Sequence, residues 1–104
     1  MSYTVLRTEK ADAQLRDIIY YIEEDSGSAE VALGYLDRLE HNIRLLSEQP
    51  YAGPEARHPS LKRQRFRVLA VERHLIFYKV MEHSRTVIIY AVVDSRRDYV
   101  QLVL

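Results

Sequence analysis

The sequence predicts a single α+β domain, residues 1–104, in which two helices pack on one face of a four-stranded, mainly antiparallel sheet. Three observations predict it. Two consecutive segments carry apolar residues at helical spacing, a proline-rich break follows them, and three segments rich in β-branched and aromatic residues complete the chain. A chain of 104 residues can bury one hydrophobic core but is too short for two domains.

A short strand and a helix are predicted first. Residues 2–7 alternate as a strand does, and Thr8 is placed to cap the helix that follows. Glu9 and Asp12 then fall in the first turn, where the helix dipole favours acids. We expect this helix to end near Asp25. Its apolar stripe consists of Ala11, Leu15, Ile18, Ile19 and Ile22.

A turn of Ser-Gly-Ser at residues 26–28 precedes a second predicted helix, which Gln49 and Pro50 end. The apolar stripe of this helix consists of Ala32, Leu36, Leu39, Ile43 and Leu46. Two stripes joined by a tight turn predict an antiparallel helical hairpin. Residues 50–60 contain all three prolines of the chain, so they predict an irregular surface connection.

Three strands are predicted in the second half of the chain, at residues 64–71, 73–81 and 85–93. Short reversals at residues 71–72 and 82–84 separate them, which is typical of an antiparallel meander. The last strand, TVIIYAVVD, is apolar on both faces and is therefore expected in the centre of the sheet.

The charges of the chain are unevenly distributed, although the formal net charge is +0. Residues 1–50 hold five lysines or arginines against ten acids, giving −5, and residues 51–104 hold ten against five, giving +5. The molecule should therefore be polarised. Arginine outnumbers lysine twelve to three, and its planar fork suits the recognition of phosphate or carboxylate.

Much of the positive charge lies in the stretch LKRQRFRVL, residues 61–69, which is typical of a β-strand and overlaps the strand predicted at 64–71. Because Phe66, Val68 and Ala70 are expected to face the helices, Arg65 and Arg67 should lie on the uncovered face of the sheet. Such a face suits nucleic-acid phosphates or an acidic protein segment. The predicted anion-binding residues are Lys62, Arg63, Arg65, Arg67 and Arg73. The alternative is a solvated network in which the arginines pair with Glu72, Asp94 or Asp98.

The tail DSRRDY, residues 94–99, adds a second candidate site directly after the central strand. Arg96 and Arg97 could clamp a phosphate, and Tyr99 beside them could act as a base. His74 could carry a proton near neutral pH. The alternative is a capped turn with Tyr99 in the core and a purely structural His74.

Several other classes of function have no support in the sequence. The chain contains no cysteine, which excludes disulfides, thiolate metal sites and a cysteine nucleophile. Its four histidines are scattered, so we expect no metal and no cofactor, and it has neither a phosphate-binding glycine loop nor a nucleophile elbow. No apolar run approaches the roughly 18 to 20 residues of a membrane span. The start MSYTVLRTEK lacks the features of a secretory signal, so we expect a cytoplasmic protein.

Three stretches together resemble the RelE/ParE superfamily of toxins from type II toxin–antitoxin, or plasmid stabilisation, modules. They are ADAQLRDIIYYI in the first helix, ALGYLDRLEHNIRLLSEQPYAG in the second helix and its exit, and RFRVLAVERHLIFYKV with VIIYAVVDSRRD in the meander. The resemblance covers nearly the whole chain. It implies the same order of strand, two helices and three strands.

The resemblance implies a toxin that is neutralised by a co-encoded antitoxin, in a possible toxin–antitoxin hetero-oligomer. Nuclease members typically show Y-R-x-x-Y where this chain has RHLIFYKV, so Leu75 fills the place of the catalytic arginine, as in the ParE branch. ParE-like toxins inhibit DNA gyrase by binding, and this is the reading we favour. The segment DSRRDY is similar to the H-R-R-x-x-Y tail of the nucleases, although it lacks their histidine.

Two alternatives remain open at this stage. The first is a RelE-like toxin that cleaves messenger RNA in the ribosome. In that reading Lys62, Arg63, Arg65 and Arg67 position the phosphate backbone, Arg96 and Arg97 stabilise charge on the scissile phosphate, and Tyr99 or His74 moves a proton. The second is an inactive homologue that only binds its antitoxin.

Overall fold

The computed structural model describes residues 2–104, which form a four-stranded sheet, two long helices and two short ones. The sheet order is β1-β4-β3-β2, with β1 parallel to β4 and the other neighbours antiparallel. This confirms the predicted architecture, including the central position of the last strand. The elements are β1 (Thr4–Arg7), α1 (Glu9–Ser26), α2 (Ala29–Leu45), α3 (Pro59–Arg63), β2 (Arg67–Val71), β3 (His74–Met81), β4 (Thr86–Asp94) and α4 (Val100–Val103).

The helical hairpin forms at the predicted positions because local signals define both of its helices. The Thr8 hydroxyl accepts a hydrogen bond from the Ala11 amide at 3.1 Å, which caps α1. Gly27 ends that helix in the left-handed region, at φ 69°, where glycine has no Cβ to clash. The Ser28 side chain then caps α2 by accepting from the Val31 amide.

The strand predicted at 64–71 begins only at Arg67, and part of the expected irregular connection forms a helix. Pro59 fits the first turn of α3, where its missing N–H is not needed. Leu61 is fully buried beneath this helix, which anchors it to the sheet. Arg65 follows in the left-handed region, at φ 65°. The strand assignment of Lys62, Arg63 and Arg65 was therefore wrong.

The sheet is covered on both faces, and the predicted orientation of β2 is inverted. Leu69 and Val71 pack into the core beneath α1 and α2, whereas Val68 packs into a second core with Phe66. Arg67 shares the face of Leu69, so it does not lie opposite the helices. The buried residues of the second core are Ala56, Leu61, Phe66, Phe77, Ala91, Val93 and Val103, the last supplied by α4.

The pairing of β3 with β4 positions the candidate site. His74, the first residue of β3, lies opposite Asp94, the last residue of β4. The tight turn between β2 and β3 and the DSRR segment after β4 therefore meet at one end of the sheet. None of the helices in residues 2–104 combines the length and the hydropathy needed to cross a bilayer.

Candidate functional site

A cleft of about 450 Å³ opens at this end of the sheet, between α1, the end of β4 and the C-terminal α4. We call it the terminal cleft. Its wall includes the polar side chains of Gln14 and Tyr21 of α1, Arg73 and His74 at the start of β3, and Arg96 and Arg97 after β4. Four of the residues singled out in the sequence, Arg73, His74, Arg96 and Arg97, therefore meet here from two separate segments of the chain.

The three arginines of the terminal cleft differ in how they are held. Asp94 accepts hydrogen bonds from Arg96 Nε at 3.1 Å, from Arg96 Nη2 at 3.0 Å and from the Arg96 amide at 2.8 Å. These bonds hold the pKa of Asp94 well below its usual range and raise the pKa of Arg96. Arg73 and Arg97 form no ion pair within residues 2–104. Two guanidinium groups are thus available to an anion.

His74 is the buried polar residue of the site, with 6% of its surface exposed. Burial lowers the pKa of His74, and the opposing effect of Asp94 is smaller. Its ring is therefore neutral near pH 7. Tyr35 of α2 contacts the ring, with its hydroxyl oxygen 2.6 Å from His74 Nδ1 and 3.2 Å from the Val71 carbonyl oxygen. Burial also raises the pKa of Tyr35.

These two contacts allow two arrangements of protons. If the Tyr35 hydroxyl donates to the Val71 carbonyl, His74 Nδ1 donates to Tyr35 and Nε2 keeps a lone pair. If the hydroxyl donates to Nδ1 instead, Nε2 carries the proton. Within residues 2–104, no buried side-chain nitrogen or oxygen lacks a partner. Because Nε2 makes no hydrogen bond, it must be reached from the terminal cleft, whose wall includes His74.

Tyr99 is not part of the terminal cleft. Its ring packs against Phe77, with 5.3 Å between ring centroids, in the second core. Phe77 and His74 lie on opposite faces of β3, because Phe77 belongs to the second core and His74 contacts α2. The sheet therefore separates Tyr99 from His74, the two alternative candidates for proton transfer.

The remaining predicted anion-binding residues lie elsewhere. Lys62, Arg63 and Arg65 are exposed on α3 and the turn after it. Arg67 is held in place, since its Nε donates to the Gly53 carbonyl at 2.7 Å and its guanidinium lies 5.0 Å from the centre of the Tyr51 ring. The prediction of one continuous basic face was therefore wrong.

The basic half of the chain is nevertheless not neutralised by its own carboxylates. Of the ten lysines and arginines in residues 51–104, all of which the structure describes, only Arg96 forms an ion pair. Glu72, an expected partner of this group, instead binds Arg38 of α2 at 2.7 Å. The alternative of a solvated ion-pair network therefore holds only for Asp94 and Arg96.

Sequence reasoning missed three contributors to the site. Tyr35 occupies a buried position of α2, three residues after Ala32 and four before Leu39, and this spacing is the signal that could have identified it. Gln14 binds the Val92 amide at 2.8 Å and the Leu102 carbonyl at 3.2 Å, joining α1 to α4. Tyr21 lines the cleft with 64% of its surface exposed, and no local pattern distinguishes it from other surface tyrosines.

Comparison with known proteins gives one family. The model of the ParE toxin of the type II toxin–antitoxin system parDE matches residues 5–99. No curated protein matches the sequence. Within residues 2–104, no group of three or more histidine, aspartate or glutamate side chains is arranged to hold a metal ion.

Three solved structures share the fold. A chain of the chromosomal ParDE system from P. aeruginosa is 20% identical, with 89% of this chain and 96% of that chain covered and a TM-score of 0.73. A chain of the RelBE2 toxin–antitoxin complex from Mycobacterium tuberculosis is 18% identical, with 90% and 99% covered and a TM-score of 0.63. A mutant of the E. coli toxin RelE in the free state is 12% identical, with 98% and 90% covered and a TM-score of 0.64.

Proposed function

Because the chain belongs to the ParE toxin family of type II toxin–antitoxin systems, we propose that it is a toxin that acts by binding DNA gyrase and does not cleave RNA. The observation that carries the second half of this proposal is the position of Tyr99, whose ring packs against Phe77 in the second core and not in the terminal cleft with the free arginines. A general acid or base must lie within hydrogen-bond reach of the proton that it transfers. Tyr99 is therefore not placed to serve a phosphate held in the cleft.

A co-encoded antitoxin is the second proposed partner. Nine of the ten cations in residues 51–104 form no ion pair within the described part of the chain, so they offer charge to an acidic segment. The neighbours from P. aeruginosa and Mycobacterium tuberculosis come from a toxin–antitoxin system and a toxin–antitoxin complex, which supports such a partner. We place the toxin in the cytoplasm, where gyrase acts, and its module in plasmid or chromosome maintenance.

Ribosome-dependent cleavage of messenger RNA is the second candidate function. The observation that favours it is the combination of two unpaired guanidinium groups, Arg73 and Arg97, with His74 in the wall of the same cleft. A phosphate held by the arginines would lie near a neutral histidine ring. The third alternative is an inactive homologue that binds its antitoxin and neither inhibits gyrase nor cleaves RNA.

Two assays of the purified protein distinguish these functions. In the first assay we expect the protein to inhibit DNA supercoiling by gyrase. In the second we expect ribosomes programmed with messenger RNA to keep their transcripts intact. Cleaved transcripts with unaffected supercoiling would replace our proposal by the nuclease, and no effect in either assay would favour the inactive homologue. His74→Gln and Tyr99→Phe should leave the inhibition of gyrase unchanged. A joint loss of activity in the two variants, with the fold intact, would contradict a binding mechanism.

A pair of charge reversals tests the antitoxin surface. Arg63→Glu combined with Arg65→Glu changes two exposed residues near α3, and Arg67 is left unchanged because it holds Gly53. We expect the antitoxin complex to weaken about tenfold or more at low salt, since two favourable charges become repulsive. The control is Arg16→Glu combined with Arg44→Glu, which changes two exposed arginines of α1 and α2 and alters the net charge equally. An equal effect of the control would show only a dependence on net charge.

A further inference from the structure

We propose that the terminal cleft binds a nucleoside phosphate, either as a free mononucleotide or as the phosphorylated end of a single strand. This site goes beyond the toxin function proposed above and does not depend on it, because binding is measured on the isolated protein. The cleft volume of about 450 Å³ lies within the range of roughly 300 to 1,000 Å³ that is usual for small-molecule sites.

The phosphate would be held by Arg73 and Arg97. Both line the cleft, are exposed and form no ion pair within residues 2–104. A guanidinium fork matches two phosphate oxygens with two parallel hydrogen bonds. Arg96 differs, because Asp94 already occupies its fork. The cleft therefore presents two free forks and one fixed, neutral pair.

His74 adds a polar contact for the ligand. Its side chain is more than nine-tenths buried, its Nδ1 contacts the Tyr35 hydroxyl, and its Nε2 opens to the cleft. With its proton on Nδ1, the ring accepts at Nε2 from a sugar hydroxyl or a base amino group. With its proton on Nε2, the ring donates to a phosphate or sugar oxygen.

Tyr21 and its neighbours on α1 supply the surface for the base. The Tyr21 ring is 64% exposed at the edge of the cleft, and Ile18 and Ile22 continue an apolar wall along the same helix. A base that stacks on an aromatic side chain gains affinity whatever its sequence context, because every base has a π-face. Asp17, on the same wall, can accept hydrogen bonds from sugar hydroxyls.

Isothermal titration with three probes tests the site. We expect AMP to bind with a submillimolar dissociation constant, and adenosine and inorganic phosphate to bind at least tenfold more weakly, since each lacks one half of the interaction. Arg97→Gln should weaken AMP at least tenfold, whereas the matched control Arg63→Gln, an exposed arginine outside the cleft, should change it less than twofold. Tyr21→Ala should weaken AMP several-fold and leave phosphate binding unchanged.

Each contrary result overturns the proposal. Absence of AMP binding at millimolar concentration removes the site, and equal losses in the Arg97 and Arg63 variants reduce it to nonspecific attraction. Phosphate binding as tightly as AMP, or an unaffected Tyr21→Ala, removes the nucleoside. A 5′-phosphorylated trinucleotide distinguishes the two sources of the ligand: tighter binding than AMP identifies a strand end, and weaker binding a free nucleotide. Thermal melts of every variant verify that the fold is retained.

Discussion

Replacing Tyr35 by phenylalanine tests the hydrogen-bond arrangement on which the terminal cleft depends. The substitution keeps the ring in the core and removes the hydroxyl that joins His74 Nδ1 to the Val71 carbonyl. A buried polar group without a partner costs about 1–3 kcal/mol. We therefore expect a loss of about 2 kcal/mol of unfolding free energy. For a domain of this size that corresponds to a fall in Tm of about 8–16 °C.

Urea denaturation followed by circular dichroism measures this loss. The matched control is Tyr20→Phe on the exposed side of α1, where 65% of the side chain is in solvent, and it should change stability by less than about 0.5 kcal/mol. A Tyr35→Phe effect no larger than that of the control would refute the energetic argument.

Nitrogen NMR of the histidine rings tests the tautomer itself. In the unmodified protein near pH 7 we expect His74 to carry its proton on Nδ1, with Tyr35 donating to the Val71 carbonyl and accepting from the ring. A proton on Nε2 would contradict this expectation and show that Tyr35 donates to the histidine. The cleft would then present a hydrogen-bond donor in place of a lone pair.

Two further predictions concern stability. Gly53→Ala should lower the free energy of unfolding by about 2 kcal/mol or more in urea denaturation, because a Cβ would lie 2.4 Å from the Val68 carbonyl oxygen. The control is Gly34→Ala, which should stabilise α2 by about 0.5–1 kcal/mol because its Cβ would meet only the flexible end of Arg38, at 3.8 Å. Equal effects of the two substitutions would contradict this reasoning. Stability should also fall as pH decreases through about 6.5, because burial lowers the folded pKa of His74 and the unfolded state binds the proton first. Denaturation midpoints at pH 7.5 and 5 measure this fall. His74→Gln should reduce it and exposed His41→Gln should not, so an unreduced fall in His74→Gln would assign it to other groups.

The fold was predictable wherever local signals and tertiary packing agree. Thr8, Gly27 and Ser28 mark the hairpin by side-chain capping and backbone freedom, which depend only on nearby residues. The five-residue helix α3 was missed because a helix this short depends on burial of Leu61 against the sheet. No local periodicity in the sequence predicts the contact of Leu61 with the sheet.

The orientation of β2 was not predictable for a different reason. Val68 and Leu69 are both apolar, and each packs into one of the two cores. Alternation shows that two faces exist, but it identifies the face beneath the hairpin only when the other face is polar. The residues of the site were predictable from the sequence, but their spatial arrangement was not. Arg73, His74, Arg96 and Arg97 were all singled out, yet their meeting depends on the pairing of His74 with Asp94.

Hydrophobic cores cover both faces of the sheet, and this restricts where the toxin can bind a ligand or a partner protein. A flat basic face of the kind the sequence suggested would require one side of β2 and β3 to be open, and Phe66 and Phe77 close that side. Free cations therefore remain at the margins of the sheet, around α3 and at the terminal cleft. A flexible acidic segment can reach both margins by wrapping around the domain, whereas a small ligand can use only the cleft. Charge reversal near α3 should consequently weaken the acidic segment and leave the small ligand unaffected, whereas substitution of Arg97 should weaken the small ligand.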